Sequence, residues 1–153
     1  MGDIYISSNK NIAKITLHSV PNMPGMAAEI FGLLGGQGFN VELVISNAGS
    51  HGAGDISLAI SKNELEKALS SLEQIKDKIK AEKISTDTEV GLVSIGGSEL
   101  ARTSGTAGKM FTALANAGVN IQAISTSLSS VTCLIAEKHI TKAVEALEKE
   151  FQV

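Results

Sequence analysis

The segment Ser104-Gly105-Thr106-Ala107-Gly108-Lys109-Met110 gathers glycines, hydroxyls and a lysine, the ingredients of a loop that cradles phosphate. It misses that pattern twice. Thr103 holds the place of the first required glycine, and Met110 stands where a Ser or Thr must bind magnesium. His18, His51 and His139 are far apart, and none has the spacing of paired metal ligands, so they are expected at the surface or at strand edges. Cys133 alternates with Val131 and Ile135 and has no His or Lys beside it in sequence, which makes it a small buried hydrophobe rather than a nucleophile. The serine-rich stretch 125–130 reads as a hairpin with its turn. Glu64, Glu66, Glu145 and Glu148 fall on outer helix faces, and no carboxylate pair is set up for acid–base work. Neither catalysis nor a cofactor is expected.

Pro21-Asn22-Met23-Pro24-Gly25 is a different case. It breaks a strand and leads straight into a helix, whose first N–H groups and dipole favour an anion such as a carboxylate. Gly25 and Ala27 leave room for a ligand to approach the backbone. The same residues also suit an ordinary turn that needs Pro and Gly for geometry alone. Asn40 and Asn120, each at the head of a strand after a glycine, divide in the same way between turn residue and ligand contact.

The elements that must position these residues come from an internal repeat. Gly25 aligns with Gly105, Ala27 with Ala107, Phe31 with Phe111, Leu34 with Leu114, Gly38 with Gly118 and Asn40 with Asn120. After a short indel, Lys67-Ala68 aligns with Lys142-Ala143 and Leu72-Glu73 with Leu147-Glu148. Two copies are too few for a solenoid, so a pair of similar domains is expected.

In the first copy Ile15 and Leu17 alternate with polar neighbours as in a half-buried strand. Ala27, Ile30, Phe31 and Leu34 follow at helical spacing, with Gly35, Gly36 and Gly38 ending the helix. Val41, Leu43 and Ile45, then Ile56, Leu58 and Ile60, form a hairpin about the glycine-rich turn 49–54. Ser61 with Glu64 resembles a capping box opening a helix with the stripe Leu65, Leu69, Leu72, Ile75, Ile79. A short strand near Lys83–Thr86 completes β-α-β-β-α-β, the ferredoxin-like split unit. The second copy repeats this from a strand at 90–96, but its last helix (Ile140, Ala143, Val144, Leu147, Phe151) is followed only by Val153. Ile4-Tyr5-Ile6 is a spare strand ahead of the first copy and is expected to complete the second. The fold class is α+β, divided as 1–11 (the strand joining the second unit), 12–87 and 88–153.

Composition excludes several function classes. The chain has 153 residues, 43% hydrophobic and 19% charged, with net charge −3 and no basic block, against a disordered tail or phosphate-backbone binding. One Tyr, four Phe and no Trp make a base-stacking surface a poor fit. One cysteine fits a reducing cytosol, and no apolar run approaches a membrane span. The opening Met-Gly-Asp-Ile lacks the basic start of a signal peptide. A cytoplasmic protein without nucleic-acid or membrane partners is expected.

Thr16-Leu17 and Val20-Pro21-Asn22-Met23-Pro24-Gly25-Met26-Ala27-Ala28-Glu29-Ile30-Phe31 resemble the opening of the first ACT domain in aspartate kinase regulatory regions. Asn120-Ile121-Gln122-Ala123-Ile124-Ser125-Thr126-Ser127 resembles the signature strand of the second, and Ala143 to Phe151 the family's last helix. The resemblance implies two nested ACT units that bind an end-product amino acid, lysine or threonine, form a homodimer, and regulate an aspartate kinase catalytic domain or subunit. It implies an effector site drawn from Asn22, Met23, Pro24, Gly25, Met26, Ala27, Asn40, Val41, Glu42 and Ser46 of the first unit. From the second unit it implies Thr106, Ala107, Asn120, Ile121 and Ser127. Asn22 replaces the family's usual Asp, Ser46 a Gln, and Leu128 a Glu. These departures keep an alternative in view: a free-standing ACT-type interaction module with altered or lost ligand binding.

Overall fold

The computed structural model describes residues 4–98, 100 and 104–153, so Thr103 and residues 1–3 lie outside the described residues. Ten regular elements follow in order: β1 (Tyr5–Pro21), α1 (Met26–Gly36), β2 (Leu43–Ala48), β3 (Ala53–Ser61), α2 (Leu65–Ile75), β4 (Lys83–Gly96), α3 (Thr106–Asn116), β5 (Ala123–Thr126), β6 (Ser130–Ala136) and α4 (Ile140–Phe151). The chain divides into two compact units, residues 11–88 and residues 1–10 with 89–153. The spare N-terminal strand and the first strand of the first repeat are one continuous 17-residue β1. The expected strands at 83–86 and 90–96 are likewise one 14-residue β4. Each of these two strands has residues in both units.

In the 11–88 unit the strand order is β2-β3-β1-β4. β1 and β3 pair antiparallel with Ile15 opposite Leu58 and Leu17 opposite Ile56, and β2 pairs with β3 with Ser46 opposite Ile56. The alternation seen in sequence aims Ile15, Leu17, Leu58 and Ile60 at Ile30 and Leu34 of α1 and at Ala68 and Leu72 of α2, all essentially without solvent contact. Each of these leucine and isoleucine side chains contributes about 1.5–3 kcal/mol by leaving water. Leu65, Leu69 and Ile75 pack at the edge of this core, and Ile79 is buried in the turns that follow α2. The β1–β3 register slips between Leu17 and Val20. There Ser19 takes a positive φ of 56°, and its N–H donates to Asp55 Oδ1 at 3.0 Å, so the bulge is held by a carboxylate.

The expected capping box is not made. A 3-10 turn, Lys62–Glu64, comes between Ser61 and α2, and Ser61 provides no side-chain cap. Its Oγ instead accepts from Asn11 Nδ2 at 2.7 Å, across the β1–β3 pair. A cross-strand partner thus wins over the local one.

The second unit repeats the plan with order β1-β4-β6-β5, using the N-terminal part of β1. Tyr5 lies against Gly96 and Asn9 against Gly91, so β1 and β4 run in opposite directions here. Val93, Ile95, Met110, Leu114, Val131, Cys133, Ile135, Ala143 and Leu147 form its core. Two matched hydroxyl pairs mark the repeat: Thr16 with Ser57 at 2.8 Å and Ser94 with Thr132 at 2.7 Å, each between directly opposed residues. Among the described residues no helix is long and apolar enough to cross a membrane.

Candidate functional site

The strand-to-helix turn of the 11–88 unit is built by a few backbone bonds. β1 ends at Pro21, the Asn22 N–H donates to the Gly52 carbonyl at 2.6 Å, and the Met23 N–H donates to the Pro21 carbonyl at 2.9 Å. These bonds hold the turn against the β2–β3 connection. Gly25 then turns left-handed, φ 95°, and stands as the N-cap of α1 with no side-chain cap. A residue with a Cβ is strained in that conformation, which is why glycine sits there. The first helical bond runs from the Glu29 N–H to the Gly25 carbonyl at 2.9 Å. The Met26 N–H donates back to the Met23 carbonyl at 3.4 Å, and the Ala27 and Ala28 N–H groups have no intrahelical acceptor at the positive end of the helix dipole.

A cavity of about 150 Å³ opens beside this turn. Of the residues expected at the site, Asn22, Met23, Met26, Ala27 and Ser46 line it together. Pro21, which opens the turn singled out in the sequence, lines it too, and Val20, Asn47, Gly54 and Ile56, which sequence reasoning did not place at the site, complete the wall. Alternation marks Ile56 as a strand residue, but its place opposite Ser46 is a matter of β2–β3 register, which spacing along the chain does not give. The wall mixes neutral polar atoms from Asn22, Ser46 and Asn47 with apolar ones from Val20, Met26 and Ile56. Such a surface suits a small zwitterion whose carboxylate meets the helix start.

The remaining expected residues fall elsewhere. Pro24 and Gly25 shape the turn without lining the cavity. Val41 packs at the edge of the hydrophobic core. Asn40 Nδ2 donates to Glu42 Oε2 at 3.0 Å, and the Glu42 N–H extends the β2–β3 ladder to the Ala59 carbonyl. In the other unit Gly105 repeats the left-handed N-cap, φ 83°, ahead of a buried Thr106, while Ala107 and Ile121 pack against the core and Asn120 is exposed. Ser127 is committed to a tight turn: its N–H donates to the Ser130 carbonyl, and its Oγ meets Ser130 Oγ at 3.0 Å and accepts from the Ser129 N–H at 3.3 Å. Leu128 projects from the tip of that turn, 82% exposed.

Cys133 is fully buried, and burial pushes its thiol up to about 11. It is a packing residue, not an activated thiolate. His18 sits between Ser85, 2.6 Å from Nε2, and Asp55, 3.6 Å from Nδ1. His51 occupies a left-handed turn position, φ 63°. His139 lies at the N-cap of α4, where desolvation and then Lys142 and Lys138 hold its pKa below the usual histidine value.

The comparisons with known proteins agree with this architecture. The ACT domain family model matches twice, over residues 18–75 and 93–151. An aspartate kinase of Pseudomonas putida is 36% identical over 97% of this chain, which spans 36% of that relative's length. A solved structure of aspartokinase alpha and beta subunits is similar with a TM-score of 0.89 at 35% identity, covering 97% of each chain. The ligand-free regulatory subunit of aspartate kinase from Thermus thermophilus is similar with a TM-score of 0.89 at 28% identity, covering 95% of this chain and 96% of that one. The two matched repeats, each carrying the glycine-capped turn, show that this chain belongs to the ACT domain family, as a regulatory module of the aspartokinase type.

Proposed function

We propose that the chain senses an end-product amino acid at the Pro21–Ala27 turn and confers feedback control on an aspartate kinase. The observation that carries this reading is the cavity where an uncapped helix start meets the oxygens of Asn22 and Ser46. The effector's carboxylate takes the Ala27 and Ala28 N–H groups at the helix start, and its ammonium takes the side-chain oxygens. In the other unit Thr106, Ala107, Asn120, Ile121 and Ser127 hold the matching places of the repeat and are proposed as its share of effector binding. Lysine and threonine are the effectors to expect, the chain acts as a homodimer, and its partner is an aspartate kinase catalytic domain or subunit. Ligand occupancy biases two arrangements of the module, and the kinase reads the difference. The similarity to separate regulatory subunits supports this reading.

A thermal-shift series with lysine, threonine and methionine, singly and in pairs, tests it. An effector at about 100 times its dissociation constant adds about 2.7 kcal/mol of stability. A cooperative melt that no amino acid shifts at millimolar concentration sinks the regulatory reading. The exposed Leu128 and the engaged Ser127 hydroxyl favour a second reading, an interaction module without a ligand. That reading predicts capture of a partner at a strength independent of added amino acids.

A further inference from the structure

We infer that Asp55, His18 and Ser85 form a clamp that positions the Pro21–Ala27 turn and ties it to β4. The clamp stands on geometry alone, and its bearing on binding rests on the effector reading above. It begins at the β1 bulge, where the left-handed φ of 56° at Ser19 is disfavoured for a residue with a Cβ and needs a partner to persist. Asp55 supplies that partner, its Oδ1 accepting from the Ser19 N–H at 3.0 Å. Val20 and Pro21 follow the bulge directly and line the cavity, as do Gly54 and Ile56 on either side of Asp55. One carboxylate thus joins the two strands that carry this part of the wall.

The other carboxylate oxygen, Oδ2, faces His18 Nδ1 at 3.6 Å, and His18 Nε2 lies 2.6 Å from Ser85 Oγ on β4. The His18 carbonyl also accepts from the Glu82 N–H at 2.8 Å, so backbone and side chain both hold the start of β4 to this residue. Imidazole suits the middle place because it has two ring nitrogens. With hydrogen on Nδ1 toward the carboxylate, Nε2 is left to accept from the Ser85 hydroxyl. The three side chains come from neighbouring strands in the order β3-β1-β4, and β4 has residues in both units. The repeat does not need this device to fold. In the other unit the hydroxyl pair Ser94–Thr132 matches Thr16–Ser57, but two residues further along the strands come Gly96 and Ser130 where the first unit has His18 and Asp55. The clamp is therefore an addition particular to the unit whose turn borders the cavity.

Amide hydrogen exchange of the full chain, read at the hydrogen-bonded N–H groups of Ser19, Asn22 and Met23, tests the clamp. Ser85→Ala should speed exchange at all three by about threefold, and Ser85→Thr, which keeps the hydroxyl, should restore the wild-type rates. Asp55→Ala should speed them by about tenfold, and Asp55→Asn should recover part of that, since an amide oxygen still accepts from Ser19. The Leu72 amide within α2 serves as the reference for global opening. Turn rates that Ser85→Ala leaves unchanged, or that rise only as far as the reference does, overturn the clamp, and so does a failure of Ser85→Thr to restore them. Titration calorimetry with L-threonine and L-lysine gives the second arm. An amino acid that binds the wild type should bind Ser85→Ala about threefold more weakly and Ser85→Thr normally. Equal affinity for all three overturns the clamp's role in binding. If neither amino acid binds the wild type, the effector reading fails, and the exchange rates decide the clamp by themselves. If Asp55→Ala does not fold, the two Ser85 variants decide.

Discussion

Two glycines of the same unit should respond to the same substitution with opposite signs. Gly32 lies inside α1 with ordinary helical backbone, and a Cβ built on it meets nothing within 4 Å. Alanine there neither clashes nor strains, so it gains helix propensity and removes freedom from the unfolded chain, worth about 0.4–1 kcal/mol. Gly25, one residue before the helix, also has open space around a Cβ, but its φ is 95°. Alanine there has no steric neighbour to blame. Its cost is the left-handed backbone alone, about 1–2 kcal/mol. For a chain of this size 1 kcal/mol moves the melting temperature by about 2–4 °C. Gly32→Ala should therefore raise it by about 1–4 °C, and Gly25→Ala should lower it by about 2–8 °C. Urea titrations followed by far-UV circular dichroism separate stability from changes in the unfolded state, since the slope should stay constant while the midpoint moves. A neutral or destabilising Gly32→Ala would show that residue 32 is not in an open helix interior. A harmless Gly25→Ala would refute the left-handed cap on which the site geometry depends.

Other expectations follow from the two cores and the long strands. Leu72→Ala, at a fully buried position of the 11–88 core, should cost about 2–5 kcal/mol, read as a fall in urea midpoint. Cys133 should resist a thiol reagent at pH 8 in the folded chain and react on unfolding. Its folded pKa lies above its unfolded one, so the unfolded state loses its proton first and stability should fall as pH rises from about 9 to about 11; Cys133→Ala should flatten that decline. Gly96→Ala drives a Cβ into the Tyr5 ring and should destabilise the unit containing 89–153, and adding Tyr5→Ala should recover part of the loss; strict additivity in the double mutant would refute the contact. Deleting residues 1–7 should lower that unit's melting transition by removing part of β1, and an unchanged melt would refute the strand's role.

Most of the fold was legible in the chain because it is encoded locally and then repeated. Alternation marks Ile15 and Leu17, and helical spacing marks Ile30 and Leu34; one copy vouches for the other where each alone is ambiguous. The burial of Cys133 also followed from its neighbours in sequence. The candidate site was only partly legible. The glycine-capped turn announces itself through Pro21, Pro24 and Gly25, but Asn40 and Glu42 pair with each other, and Ser127 closes a turn. Hydrogen-bond choices of this kind depend on which side chains meet through space, and spacing along the chain does not specify them.

Sequence by itself determined the element order, the two-copy plan, the apolar faces and the glycine-bearing turns, because backbone sterics and hydrophobic period act over a few residues. Tertiary structure decided what depends on distant partners. It joined separate strand signals into β1 and β4, moved Ser61 from a helix cap to Asn11, and used Asp55 to pin the bulge at Ser19. It also brought Ile56 and Asn47 to the wall beside Asn22. Strand register and long-range pairing set these contacts, and pairing becomes definite only when an entire buried face must be satisfied at once.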